Sequence, residues 1–174
     1  MRSRGLTPSS RVLSVGVVAA EATVAARLSI PPGEPIVRLE RLRLGDGEPV
    51  GVQVAHVPAA AFPGLEAVDF AETSLYEELE RRSGVPIEEA EETYIVGSAD
   101  AEAARNLDVP PGTPVLIVER VAWEGGRPVE FTRSVMRGDR YRVQVRLRRS
   151  GLGSALPHRH HSNQDGAAPH PTTG

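Results

Sequence analysis

Residues 28–54 read LSIPPGEPIVRLERLRLGDGEPVGVQV, and residues 107–133 read LDVPPGTPVLIVERVAWEGGRPVEFTR. The stretches align without a gap at an offset of 79, and ten of the 27 positions are identical, among them Pro31/Pro110, Gly33/Gly112, Glu40/Glu119, Arg41/Arg120 and Pro49/Pro128. Each copy follows an Ala-rich helical stretch (EATVAARL, 21–28; AEAARNL, 101–107), passes a Pro-Pro-Gly turn and enters two strands joined by a Gly-containing turn. Two copies are too few for a solenoid, where at least three units must stack to share a core. The duplication therefore predicts one domain in which the two hairpins are related by approximate symmetry. Positions that agree between copies read as scaffold. Positions that diverge, such as Arg43 against Ala122, Gly51 against Glu130 and Gln53 against Thr132, are where a ligand site is expected.

Outward from the hairpins the pattern continues. Residues 1–10 (MRSRGLTPSS) read as a linker, and RVLSVGVVA (11–19) as a strand. The first hairpin is predicted at 35–44 and 48–57, turning at Gly45-Asp46-Gly47, a turn type that suits the twist of adjoining strands. Residues 58–72 form a loop with apolar anchors Phe62, Leu65 and Phe70. SLYEELERRSG (74–84) reads as a helix opened by a Ser74/Glu77 capping box and closed by Gly84. Residues 85–98 are extended, 100–107 helical, and the second hairpin occupies 114–137. Arg137-Gly138-Asp139-Arg140 reads as a turn in which glycine allows positive φ. RYRVQVRLRR (140–149) alternates as a last strand, and the Gly-, Pro- and His-rich residues 150–174 are expected to be a disordered tail. The expected fold class is α+β, with about six mostly antiparallel strands and short helices packed on them, in one body over 11–149.

Composition narrows the functional classes. A chain of 174 residues with 40% hydrophobic and 25% charged side chains suits one ordinary globular domain. It has no cysteine, which excludes disulfides and thiolate catalysis. Without a long apolar run or a signal-peptide pattern, a cytoplasmic location and no membrane partner are expected. All 20 basic residues are arginine, in keeping with GC-rich coding, and the net charge of −3 lacks the footprint of a nucleic-acid binder.

Chemistry concentrates on few residues. Period-two alternation in PIVRLERLRL (35–44) puts Val37, Leu39, Arg41 and Arg43 on one face, so two arginines continue an apolar surface. Unpaired charge there is costly. The pair sits at a solvated sheet end, or pairs with nearby glutamates, or holds a phosphate or carboxylate, which two guanidinium forks fit well. Ser74 and Tyr76 lie at the start of the capped helix, where backbone N–H groups favour an anion. On the second hairpin, alternation separates Val129, Phe131, Arg133 and Val135 from Glu130, Thr132, Ser134 and Met136; on the first, it separates Val50, Val52 and Val54 from Gly51, Gln53 and Ala55. Gln53 and Glu130 thus share a small or polar face able to meet hydroxyls. No catalytic constellation emerges, no cofactor is expected, and the tail histidines His158, His160 and His161 lack the supporting shell of a metal site.

Taken in order, RGLTPSS, PPGEPIVRLERLRLGDGEPV, FPGL, SLYEELE, A-x-x-A-x-x-L-x-V-x-x-G (101–112) and PVEFTRSVMRGDRY resemble the effector-sensing (UTRA) domain of the GntR superfamily of transcription regulators, HutC subfamily, from about Gly5 to Arg149. The resemblance implies a chorismate-lyase-like α+β fold, a homodimer, and a small-metabolite effector such as a sugar phosphate rather than a substrate. In the amino-sugar branch, the positions matching Arg41, Arg43, Ser74 and Tyr76 hold phosphate and that matching Glu130 contacts the sugar. Gln53 stands where that branch has a second sugar-contacting glutamate, and Met136 where it has an aromatic residue. Full-length relatives carry a winged helix-turn-helix ahead of the R-G-x-x-P linker; Met1 falls inside that linker, so DNA contact is expected only through a reader outside this sequence. Two alternatives follow from the resemblance: a chorismate-lyase-like enzyme, and a stand-alone sensor forming mixed dimers with full-length paralogues.

Overall fold

The computed structural model of the chain describes residues 7–145. Its elements are β1 (Pro8–Ala19), α1 (Ala22–Leu28), β2 (Pro35–Gly45), β3 (Glu48–Pro58), a 3-10 turn (Leu65–Ala67), α2 (Leu75–Ser83), β4 (Glu89–Ser98), α3 (Ala101–Leu107), β5 (Pro114–Glu124) and β6 (Arg127–Arg137). The strands form one sheet in the order β1-β2-β3-β6-β5-β4, every neighbouring pair antiparallel. The α+β class and six-stranded antiparallel sheet are as expected.

The repeat becomes an approximate two-fold axis. At the centre of the sheet Val54 on β3 pairs with Arg133 on β6, and these two are also equivalent at the offset of 79. The axis therefore passes through that pair. Both hairpins turn alike, with positive φ at Asp46 and Gly47 in one and at Gly125 and Gly126 in the other, the backbone twist a two-residue turn needs to match its strands. The helices exchange halves. Ala25 and Leu28 of α1 pack with Val121 and Phe131 from the second copy, while Ala104 and Leu107 of α3 pack with Leu42 and Val52 from the first. Neither half can bury its own helix without the other.

The opposite face is asymmetric. The segment after β3 lays Phe62, Leu65, Phe70, Leu75 and Leu79 against Val37, Leu39, Ala55, Val57 and Val129. Each fully buried side chain of this size contributes roughly 1.5–3 kcal/mol, which fixes α2 over one half of the sheet. The three loop anchors expected from sequence are all buried here.

Several local expectations change. Strict alternation puts Val50 and Val129 on the α1/α3 face. Instead the register shifts between Arg43 and Leu44 opposite Val50, and between Ala122 and Trp123 opposite Val129. An inserted bulge residue turns the side chain over, so Val129 joins the core under α2 and Val50 packs with Val118 and Met136. The two bulges are equivalent positions of the repeat. β1 begins at Pro8, inside the stretch read as linker. Residues 141–145 form no strand, because alternation alone cannot make one without a neighbouring edge to pair with; residues 146–149 and the tail lie outside the described residues. Gly138 does occupy a turn, but its φ is not positive; a side chain there would crowd the Pro114 carbonyl at 3.2 Å.

Candidate functional site

β2 enters the core with Val37 and Leu39 and leaves it with Arg41 and Arg43 on the same face. Arg41 is only 7% exposed. Its Nη2 donates to Gln53 Oε1 at 2.8 Å, but its Nε is buried without a hydrogen-bond partner. Arg43 Nη1 donates to Ser10 Oγ at 2.8 Å. Among the described residues neither arginine has an ion-pair partner, so the option of pairing with nearby glutamates is not taken. Burial pulls the Arg41 pKa down to about 10, helped by Arg43 and opposed by Glu130. Burial lowers Arg43 as well. Both remain cations at neutral pH, held where a cation is unfavourable.

Across the cavity stands Glu130, 3% exposed. Tyr76 donates its hydroxyl to Glu130 Oε2 at 3.0 Å, and Thr132 donates to Oε1. Burial raises the Glu130 pKa against the effect of those two bonds. Burial first, and then Glu130, push Tyr76 up to about 12. Ser74 is the N-cap of α2 but makes no side-chain cap bond, so the capping box read from sequence does not form. Its side chain lines the cavity instead. Asp100 shows what a working cap looks like, its carboxylate accepting from Glu102 N and Ala103 N at the start of α3.

All six residues singled out from sequence, Arg41, Arg43, Gln53, Ser74, Tyr76 and Glu130, line one cavity of about 490 Å³ between α2 and the sheet. The structure adds Ser9 and Ser10 from β1 and Arg120 from β5. Arg120 donates to the Tyr76 hydroxyl at 3.3 Å and to Glu92 on β4, with Nε 2.7 Å from that carboxylate. Burial alone would lower its pKa, but the bonds to Tyr76 and Glu92 carry it above the ordinary arginine value. Arg120 escaped the sequence reading because identity with Arg41 marked it as scaffold. That same identity was the usable signal, since the axis returns both copies to one cavity.

A larger hollow of about 710 Å³ lies on the other face beside α1. Its floor is Val52, Val54, Phe131 and Val135, and two of its arginines already have carboxylate partners: Arg27 meets Glu119 at 2.8 Å, and Arg38 meets Glu40 at 2.9 Å. The smaller cavity is the better candidate because two of its cations, Arg41 and Arg43, have no ion-pair partner among the described residues. No group of residues able to hold a metal ion occurs among the described residues.

Comparison with known proteins identifies the family. The family model for the UTRA domain matches residues 3–142. The HTH-type transcriptional repressor NagR of Bacillus subtilis is 32% identical over 142 residues, 81% of this chain and 58% of its own length. The HTH-type transcriptional repressor PhnF of Mycolicibacterium smegmatis is 30% identical over 140 residues, 80% of this chain and 57% of its own. The chain thus spans under two thirds of these relatives. The crystal structure of the effector domain of PhnF from Mycobacterium smegmatis has a TM-score of 0.74 at 30% identity, covering 80% of this chain and 86% of that one. These relatives are transcriptional repressors, which points to regulation rather than catalysis. The chain belongs to the UTRA domain family, the effector domain found in GntR-type transcription regulators of the HutC kind.

Proposed function

We propose that this domain binds a small anionic metabolite, a sugar phosphate being the best fit, and acts in the cytoplasm as the sensing part of a homodimeric transcription regulator. Arg41, Arg43, Ser74 and Tyr76 hold the anion, and Gln53 and Glu130 meet the hydroxyls of the rest. The observation that carries this reading is Arg41, a side chain that lines the cavity with no ion-pair partner and a buried Nε that has no hydrogen-bond partner. A phosphate or carboxylate oxygen supplies the bond it lacks. The serine hydroxyls around it and the uncommitted charge of Arg43 support the same ligand type.

Signalling has a physical route in this reading. Arg43 holds Ser10, near the beginning of β1, so an anion that competes for Arg43 loosens or re-seats the point where the chain enters the domain. DNA contact belongs to a winged helix-turn-helix, in a longer form of the chain or in a partner. Couplings of this kind are typically about 1–3 kcal/mol.

Calorimetry with a panel of sugar phosphates and organic acids tests the assignment. Arg41→Ala and Arg43→Ala are expected to weaken the best ligand at least tenfold; unchanged affinity in both would remove the anion clamp.

A further inference from the structure

We infer that Tyr76 is a hydrogen-bond switch that makes the cavity discriminate against a bare anion. Its single hydroxyl hydrogen serves either Glu130 or a bound anion, so tight binding requires a ligand that brings its own hydroxyl to Glu130. This rests on the anion-binding reading above and adds to it how the two ends of the ligand are read together.

The carrying observation is a count of donors and acceptors around one oxygen. A phenol has one hydrogen to donate, whereas a guanidinium has only donors and no acceptor. Arg120 Nη1 lies 3.3 Å from the Tyr76 hydroxyl oxygen, so at that contact the oxygen accepts. The one hydrogen it carries goes to Glu130 Oε2 at 3.0 Å. That hydrogen stays on the oxygen at neutral pH, since burial and then Glu130 push the Tyr76 pKa up to about 12. Tyr76 therefore lines the anion cavity with its only donor already engaged.

Glu130 has no substitute for that bond. It is 3% exposed. Among the described residues its donors are Tyr76 and Thr132, one to each carboxylate oxygen, and it has no ion-pair partner. An anion between Arg41 and Arg43 that draws the Tyr76 hydrogen to itself strips a buried carboxylate of one of these two bonds. Leaving a buried charged group short of a donor cancels most of what the new bond contributes. The exchange needs only rotation of the hydrogen about the Cζ–Oη bond, because Arg120, braced by Glu92, holds the oxygen in place.

A ligand with a hydroxyl beside its anionic group restores the lost bond. Its O–H donates to Glu130 as the Tyr76 hydrogen turns to the anion, and no buried group is left short. Inorganic phosphate meets the first demand and not the second. The cavity thus reads the anion and the hydroxyl jointly, with Tyr76 as the link and Arg120 as the positioning residue.

The test is calorimetry on the full chain at pH 7.5 with inorganic phosphate and glucose 6-phosphate, using the parent, Tyr76→Phe, Glu130→Ala and the double variant. Glu130→Ala releases the Tyr76 hydrogen. It is expected to tighten inorganic phosphate at least tenfold more when Tyr76 is present than in the Tyr76→Phe background. The gain from deleting a negative charge is common to both backgrounds and drops out of that comparison. Glucose 6-phosphate is expected to gain less than inorganic phosphate from Glu130→Ala, so the preference between the two narrows. If Glu130→Ala does not fold, Glu130→Met fills the same space without an acceptor and is read in the same way. Equal gains in the two backgrounds overturn the switch alone, provided that glucose 6-phosphate binding still depends on Arg41. So does a loss of glucose 6-phosphate affinity in Glu130→Ala with inorganic phosphate unchanged. Failure of both probes to bind any of the four proteins overturns it together with the anion reading.

Discussion

Arg41 and Arg120 are the same residue of two copies of one unit, and the fold brings both to the wall of a single cavity. They are not equally committed. Arg120 is neutralised by Glu92 and bonded to Tyr76, whereas Arg41 has Gln53 and an unmatched Nε. One copy has become a structural brace, and the other keeps an unsatisfied cation beside an open space.

A cation kept in reserve is a stability cost. Arg41→Met removes a buried unpaired donor, whose penalty is about 1–3 kcal/mol. The ligand-free variant is expected to melt several degrees higher than the parent, since each kcal/mol is worth roughly 2–4 °C at this size, while losing phosphate binding. A lower melting temperature would mean that Arg41 braces the fold.

Glu130 should make stability depend on pH. Burial raises its pKa above the ordinary value of 4.5, so the folded state keeps a proton that the unfolded chain gives up. That contribution is complete below pH 4.5 and is lost as pH rises through the folded value. Glu130→Gln removes the dependence. Urea unfolding should find the variant more stable than the parent at pH 7.5 and closer to it at pH 4; an equal gap at both would contradict the buried-carboxyl account.

The two N-cap residues should separate cleanly. Asp100→Ala breaks two bonds to the backbone of α3 and is expected to cost about 1 kcal/mol. Ser74→Ala breaks no cap bond, so its unfolding midpoint should stay with the parent while its affinity for sugar phosphates falls. A Ser74→Ala loss as large as that of Asp100→Ala would restore the structural role.

Leu79 seats α2 on the sheet and is 1% exposed. Leu79→Ala is expected to cost about 2–5 kcal/mol and to weaken ligand binding further, because Ser74 and Tyr76 are carried by that helix. Chemical unfolding and calorimetry on the same preparation check both.

What could be read from the sequence follows the reach of each signal. The hairpins were legible to within a residue or two because Asp46-Gly47 and Gly125-Gly126 force the turn and the repeat fixes both at once. Val50 and Val129 were misplaced because a bulge changes the register without changing composition. The serine-to-glutamate spacing at 74–77 has the form of a capping box, yet whether the hydroxyl turns to the backbone depends on what lies beside it. The alternating residues 141–145 have strand chemistry without an edge to join. Of the site, the divergent residues Arg43, Gln53 and Glu130 were visible as differences between copies, whereas Arg120 was hidden by agreement.

The exchange of helices across the axis through Val54 and Arg133 sets a rule for how such a receptor could arise. Two separate identical chains clasped this way can only offer matched hollows, and any gain of specificity in one is forced on its twin. Tethering the twins in one polypeptide lifts that obligation: one hollow can be roofed and tuned while its rotated counterpart is given over to holding the molecule together.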